Sequence, residues 1–104
     1  MFMRIGWGRV KPGQWDAYQA EYEALHEGRA IPGRIASYLV QDVAHADSGF
    51  VVTLWRDVAD IEAYDKSEGR KAMMEGLEQF FTGQYSVQLC RVVHQEQCLP
   101  EAAE

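Results

Sequence analysis

The stretch Phe50–Trp55, FVVTLW, constrains this chain more than any other. Side chains alternate across a strand, so Phe50, Val52 and Leu54 go to one face and Val51, Thr53 and Trp55 to the other. Both faces carry apolar residues, whereas a strand in a sheet that is wet on one side shows a clean apolar–polar alternation. The run Arg34–Val43, RIASYLVQDV, repeats the pattern: Ile35, Ser37, Leu39 and Gln41 point one way, and Ala36, Tyr38, Val40 and Asp42 the other. Such a sheet needs cover on both sides, and 104 residues limit what can supply it.

The remaining segments read as partners for these strands. Phe2–Val10 is a strand with Met3, Ile5 and Trp7 on one face and Arg4, Gly6 and Gly8 on the other. The two glycines mark either a close approach by backbone or ligand, or a bulge. After a Lys11-Pro12-Gly13 turn, Gln14–Glu27 is an amphipathic helix whose stripe is Trp15, Tyr18, Tyr22 and Leu25, with Gly28 as its stop. That stripe either packs on a sheet as core or walls a pocket, and its tyrosine hydroxyls need partners in both cases. Past Trp55, Asp57 stands where a helix N-cap belongs. Ala59–Lys66 is a short helix carrying Ile61 and Tyr64. Ser67 caps a second helix over Gly69–Phe81, with Ala72, Met73, Leu77 and Phe80 inward and Gly83 as its end. Tyr85–His94 is the fourth strand, and Gln95–Glu104 is a polar, acidic tail. The domain therefore spans 1–94 and the tail 95–104.

The order is β-α-β-β-α-β, the ferredoxin-like plan: an α+β fold with an antiparallel sheet and its helices on one face. The helices cover that face. The other is left to a second copy of the chain, stacked sheet on sheet, which predicts a homodimer.

Charge and motifs narrow the chemistry. The formal net charge is −6, with no basic cluster, which argues against nucleic acid and against a membrane surface. No run approaches the length of a membrane helix, and Arg4 interrupts the apolar start that a signal peptide requires, so a cytoplasmic location is expected. Cys90 and Cys98 form no CxxC pair and are expected as free thiols. His26, His45 and His94 show no metal-ligand spacing, so no metal is expected. Gly6-Trp7-Gly8 lies inside a strand and does not open a helix, so it is no phosphate loop, and no cofactor is expected. Nothing places a base beside Ser37, Ser67 or Ser86 for a nucleophilic triad.

The run from Trp55 to Tyr64, W-x-D-x-x-D-I-x-A-Y, the Leu54-Trp55 strand end, the short first strand and Ser67 opening the next helix resemble the antibiotic biosynthesis monooxygenase (ABM-like) family of dimeric α/β barrels. The resemblance covers roughly residues 2–93 in element order and is densest between Thr53 and Phe81. It implies a pocket between helices and sheet in each protomer. Members include cofactor-free oxygenases of aromatic polyketides and quinols, and haem-degrading enzymes. The haem-degrading members use an Asn, a Trp and a His where this chain has Trp7, Tyr64 and Met74, which argues against that chemistry here. The reading is a cofactor-independent monooxygenase of an aromatic or quinol-like small molecule. Tyr64 and His26 are the candidate catalytic residues, with Tyr22 a further polar handle. Trp7, Tyr18, Tyr22, Tyr38, Trp55, Met73 and Phe80 are the candidate ligand-binding wall. The alternative is a non-catalytic dimeric α/β barrel that binds a small apolar ligand in a stress or regulatory role.

Overall fold

Residues 1–98 are described in the computed structural model. The elements are β1 (Phe2–Val10), α1 (Trp15–His26), β2 (Arg34–Gln41), β3 (Ser48–Trp55), α2 (Val58–Asp65), α3 (Glu68–Leu77), a 3₁₀ turn (Glu78–Phe80) and β4 (Phe81–Arg91). The strands form one antiparallel sheet in the order β2-β3-β1-β4. This is the ferredoxin-like α+β arrangement expected from the element order. Of the expected tail, 99–104 lie outside the described residues.

Element ends differ from expectation in several places: β2 stops at Gln41 rather than Val43, β3 starts at Ser48 rather than Phe50, β4 stops at Arg91 rather than His94, and the largest difference is at α3. The second helix does not run to Phe81: α3 ends at Leu77, and β4 begins at Phe81 rather than Tyr85. Phe80 and Phe81 continue the apolar stripe in sequence, yet Phe81 pairs with Val10 and its ring packs 5.8 Å from Tyr18. Pairing and packing override the helical period here. Gly83, expected as the helix stop, lies within β4 at φ +91°, a conformation that glycine adopts without a Cβ penalty.

Residues paired across an antiparallel ladder project from the same face, so the register assigns every strand residue to a side. Toward the helices point Leu39 and Ser37 of β2, Gly49, Val51, Thr53 and Trp55 of β3, and Phe2, Arg4, Gly6 and Gly8 of β1. From β4 the same face receives Tyr85, Val87 and Leu89, paired with Gly8, Gly6 and Arg4. The core lies between this face and the helices. Val10, Trp15, Tyr18, Tyr22, Met73, Leu77 and Phe80 form one buried cluster, with Leu25, Leu39, Val51, Met74 and Phe81 packed around it. Its tightest point is Gly49, where Trp15 lies directly on the strand: a Cβ would collide with the Val40 carbonyl and stand 2.5 Å from the Trp15 ring.

The caps hold the α2–α3 junction in place. Asp57 accepts from the Asp60 amide at 3.2 Å. The Ser67 hydroxyl donates to the Tyr64 carbonyl at 2.7 Å and accepts from the Arg70 amide at 3.2 Å, which ties the end of α2 to the start of α3. The opposite face of the sheet presents Met3, Ile5 and Trp7 beside Leu54, Val52 and Phe50, with Tyr38 and Val40 on β2. Among the described residues none covers this face of β2, where Tyr38 is 58% exposed.

Candidate functional site

The sheet is wider than its helical cover. On the helix side of β4, Tyr85, Val87 and Leu89 are 75%, 58% and 50% exposed, although Leu89 and Val87 pair with Arg4 and Gly6 of an inner strand. Gly6 and Gly8 keep the floor low, since a Cβ at either position meets nothing nearer than a backbone oxygen at 3.8 and 4.0 Å. Beside this shelf, α3 and β4 enclose a groove of about 450 Å³, lined by Asp65, Arg70, Met74 and Phe81 among others. The two glycines therefore mark open space on the helix side, and the strand irregularity lies just after them, between Gly8 and Val10.

At the inner end of the shelf stands a cluster built from four elements. Trp55 is fully buried, and its indole N–H donates to the Thr53 hydroxyl at 2.8 Å, two residues back on the same face. Its ring lies 5.5 Å from that of Tyr64, tilted by 41°. The Arg4 guanidinium lies 5.8 Å from the Trp55 ring centre and 5.9 Å from that of Tyr64, within reach of a cation–π attraction to both. Arg4 Nη1 donates to Asp65 Oδ1 at 2.6 Å, and Arg70 Nε lies 3.3 Å from the same oxygen. Two guanidinium groups therefore share one carboxylate. The Tyr64 hydroxyl donates to the Met73 thioether at 3.8 Å, a weak acceptor that a ligand oxygen can displace.

A second opening lies between α1 and β2, a groove of about 840 Å³ lined by Trp15, Gln19, Tyr22, Glu23, His26 and Leu39 among others. His26 stacks on Tyr22 with ring centres 3.9 Å apart. Its Nδ1 lies 2.7 Å from the Tyr22 carbonyl, which can only accept, so Nδ1 carries the proton and Nε2 keeps its lone pair. Burial lowers the His26 pKa against the pull of that carbonyl, and Arg34 and Arg29 lower it further. Burial raises the Tyr22 pKa, opposed by the Ser37 hydroxyl and Arg34, with a smaller upward contribution from Tyr64. Tyr22 thus lines the α1–β2 groove with its ring stacked on His26.

The nine residues singled out in the sequence fall into four places. Trp55 and Tyr64 meet at the inner cluster, with Met73 against the Tyr64 hydroxyl. Tyr18, Tyr22, Met73 and Phe80 belong to the buried core, and His26 borders the α1–β2 groove. Trp7 and Tyr38 lie on the opposite face of the sheet, so one protomer cannot bring them into a helix-side cavity. There the Arg9 guanidinium lies over Trp7 at 5.9 Å. Arg4, Asp65 and Arg70 were not among the residues read from the sequence. The available signal was Arg4 itself, the one charge among the β1 residues that alternate onto the face of Gly6 and Gly8. Among the described residues no group of three or more His, Cys, Asp or Glu side chains is placed to hold a metal ion, and Cys90 and Cys98 are free. No described helix is long and apolar enough to cross a membrane.

The strand order and the helices on one face define a small ferredoxin-like α+β protein. A sequence model of the antibiotic biosynthesis monooxygenase family matches residues 1–76, and the chain belongs to that family. The fold recurs in a crystal structure of an antibiotic biosynthesis monooxygenase, with a TM-score of 0.77 at 20% identity over 90% of this chain and 100% of that one. It recurs in PA3566 from Pseudomonas aeruginosa, at 0.72 and 23% identity over 88% and 94% of the two chains. Rv0793 from Mycobacterium tuberculosis gives 0.76 and 13% over 92% and 98%. At such identities these likenesses show a shared fold. No curated protein matches the chain in sequence.

Proposed function

We propose that the chain is a cofactor-independent monooxygenase that oxidises an aromatic or quinol-like small molecule in the helix-side cleft over β1 and β4. Family membership supports the reaction class. The observation that carries the site is the shelf of Gly6, Val87 and Leu89 running up to the Trp55–Tyr64 pair: a flat apolar floor that ends at aromatic edges and a cation. In the simplest balanced reaction a quinol and O₂ give a hydroxyquinone and water. The substrate supplies all the electrons, one oxygen atom enters the ring and the other leaves as water. The protein must exclude bulk water and hold the electron-rich anion. Tyr64 is the candidate for contacting the reacting oxygen, because among the described residues its hydroxyl has only a thioether as partner.

The test is O₂ uptake with a panel of quinols, alongside Tyr64→Phe. Uptake matched one-to-one by hydroxyquinone, and reduced in the variant, is the expected result. No uptake with any quinol overturns the proposal. A second reading, a binder without turnover, draws support from Asp65: the carboxylate that follows Tyr64 in the chain is already shared by two arginines. Thermal stabilisation by the same quinols without O₂ uptake would establish that reading.

The assembly proposed is a homodimer in which two open sheet faces stack. Met3, Ile5, Trp7, Val52 and Leu54 supply the apolar surface, and the packing is of the kind that joins two sheets in a sandwich.

A further inference from the structure

We infer that Arg4 is a specificity residue of the cleft: its guanidinium takes an anionic oxygen of the ligand, so the site selects aromatic acids and ionised phenols over neutral aromatics of the same shape. The inference rests on the proposed cleft as the ligand site.

Four observations carry it. First, Arg4 stands on an inner strand, on the face toward the helices, with its side chain only 18% exposed. A guanidinium brings five N–H donors to such a place. Among the described residues its one hydrogen-bond acceptor is Asp65, reached through Nη1. No side-chain nitrogen or oxygen there is both fully buried and unpartnered, so the remaining donors of Arg4 open to solvent. Second, Arg4 and Arg70 share the single carboxylate of Asp65, so at this junction two guanidinium groups meet one acid. Lys66, Lys71, Glu68, Glu75 and Glu78 line the groove beyond Asp65 with both signs, and they stand on the helical wall rather than the floor.

Third, the floor next to Arg4 suits a flat ring. Gly6 follows two residues along β1 on the same face, about 7 Å away at strand rise. It offers no side chain, and Val87 and Leu89 border it from β4. A ring lying there places an oxygen substituent at the guanidinium. Fourth, the Trp55 and Tyr64 rings lie 5.8 and 5.9 Å from the guanidinium and Asp65 accepts from its Nη1, so little rotamer freedom remains to be lost on binding. A charge-assisted hydrogen bond to a pre-positioned arginine discriminates an anion from its neutral isostere by about tenfold or more.

The experiment measures equilibrium binding of the naphthoate anion and of neutral naphthamide to the full chain, by calorimetry at low ionic strength. Wild type is expected to bind naphthoate at least about tenfold more tightly than naphthamide, with the preference shrinking as salt rises. Arg4→Gln should abolish the preference by weakening naphthoate alone, and Arg4→Lys should retain part of it. Asp65→Asn, which frees the guanidinium from its carboxylate, should strengthen naphthoate binding severalfold and leave naphthamide unchanged. A purely structural Arg4 would weaken both ligands together in all three variants, which overturns the inference. Equal affinity of wild type for the two ligands overturns it as well and leaves the cleft reading intact. Failure of wild type to bind either ligand overturns both.

Discussion

Tyr18 makes the packing between α1 and the sheet measurable through pH. Its side chain is 5% exposed in the middle of the aromatic cluster, 5.3 Å from Trp15 and 6.0 Å from both Tyr22 and Phe80. Burial, with a smaller contribution from Tyr22, raises its pKa from 10.0 to about 12. The proton is therefore held more tightly in the folded chain than in the unfolded one. Below pH 10 both states keep it, and stability does not depend on this group. Between 10 and about 12 the unfolded chain loses the proton while the folded chain retains it, so stability falls as pH rises. At about pH 11 the loss is about 1.4 kcal/mol, one pKa unit, and it approaches about 2.7 kcal/mol above both values. Tyr18→Phe has no such proton. Urea unfolding of wild type and variant at about pH 8 and pH 11, at one protein concentration, isolates the effect from the other titrating groups, which the two chains share. With a slope of about 2 kcal/mol per molar urea, the midpoint of wild type should fall by about 0.7 M relative to the variant between the two pH values. The same midpoint gap at both would refute the desolvation of Tyr18.

Three further perturbations probe other parts of the molecule. Gly49→Ala puts a methyl group against the Val40 carbonyl and the Trp15 ring, and overpacking of this kind costs about 1–3 kcal/mol. A thermal melt should show a midpoint lower by several degrees, and an unchanged one would mean that Trp15 does not rest on the strand. Ser67→Ala removes both hydrogen bonds at the α2–α3 junction and should cost about 1 kcal/mol in chemical unfolding. An unaltered midpoint would exclude a stabilising role for the cap. Val52→Lys places a charge on the open sheet face, and sedimentation at micromolar protein should show a dimer for wild type and a monomer for the variant. A monomeric wild type would refute the stacked sheets.

Much of the fold was legible because period and punctuation agreed. Alternation in Phe2–Val10 and Phe50–Trp55 sorted residues to the faces that the register now shows, and Asp57 and Ser67 marked helix starts that their hydrogen bonds bear out. The end of α3 was not legible, because Phe80-Phe81 satisfies a helical stripe and a strand equally well. Only the pairing of Phe81 with Val10 decides between them. Of the candidate site residues, Trp55 and Tyr64 belong to the run that carries the resemblance, and their rings stand 5.5 Å apart. Trp7 and Tyr38 are as aromatic as Tyr18, and residue type alone does not say on which side of a sheet a ring will stand. Arg4 was hidden for the opposite reason. A charge near the start of a chain reads as solvated, and its enclosure depends on Asp65, sixty-one positions away.

The overhang of β4 separates two kinds of demand on the chain. Core residues such as Leu77 and Trp55 carry stability and tolerate little change. Tyr85, Val87 and Leu89 face the same side of the same sheet, yet they already stand largely in solvent, so replacing them costs the folded state little. A face made by leaving one strand uncovered can change its exposed side chains without reopening the core. The same backbone recurs at 13–23% identity, so its sequence tolerates wide change.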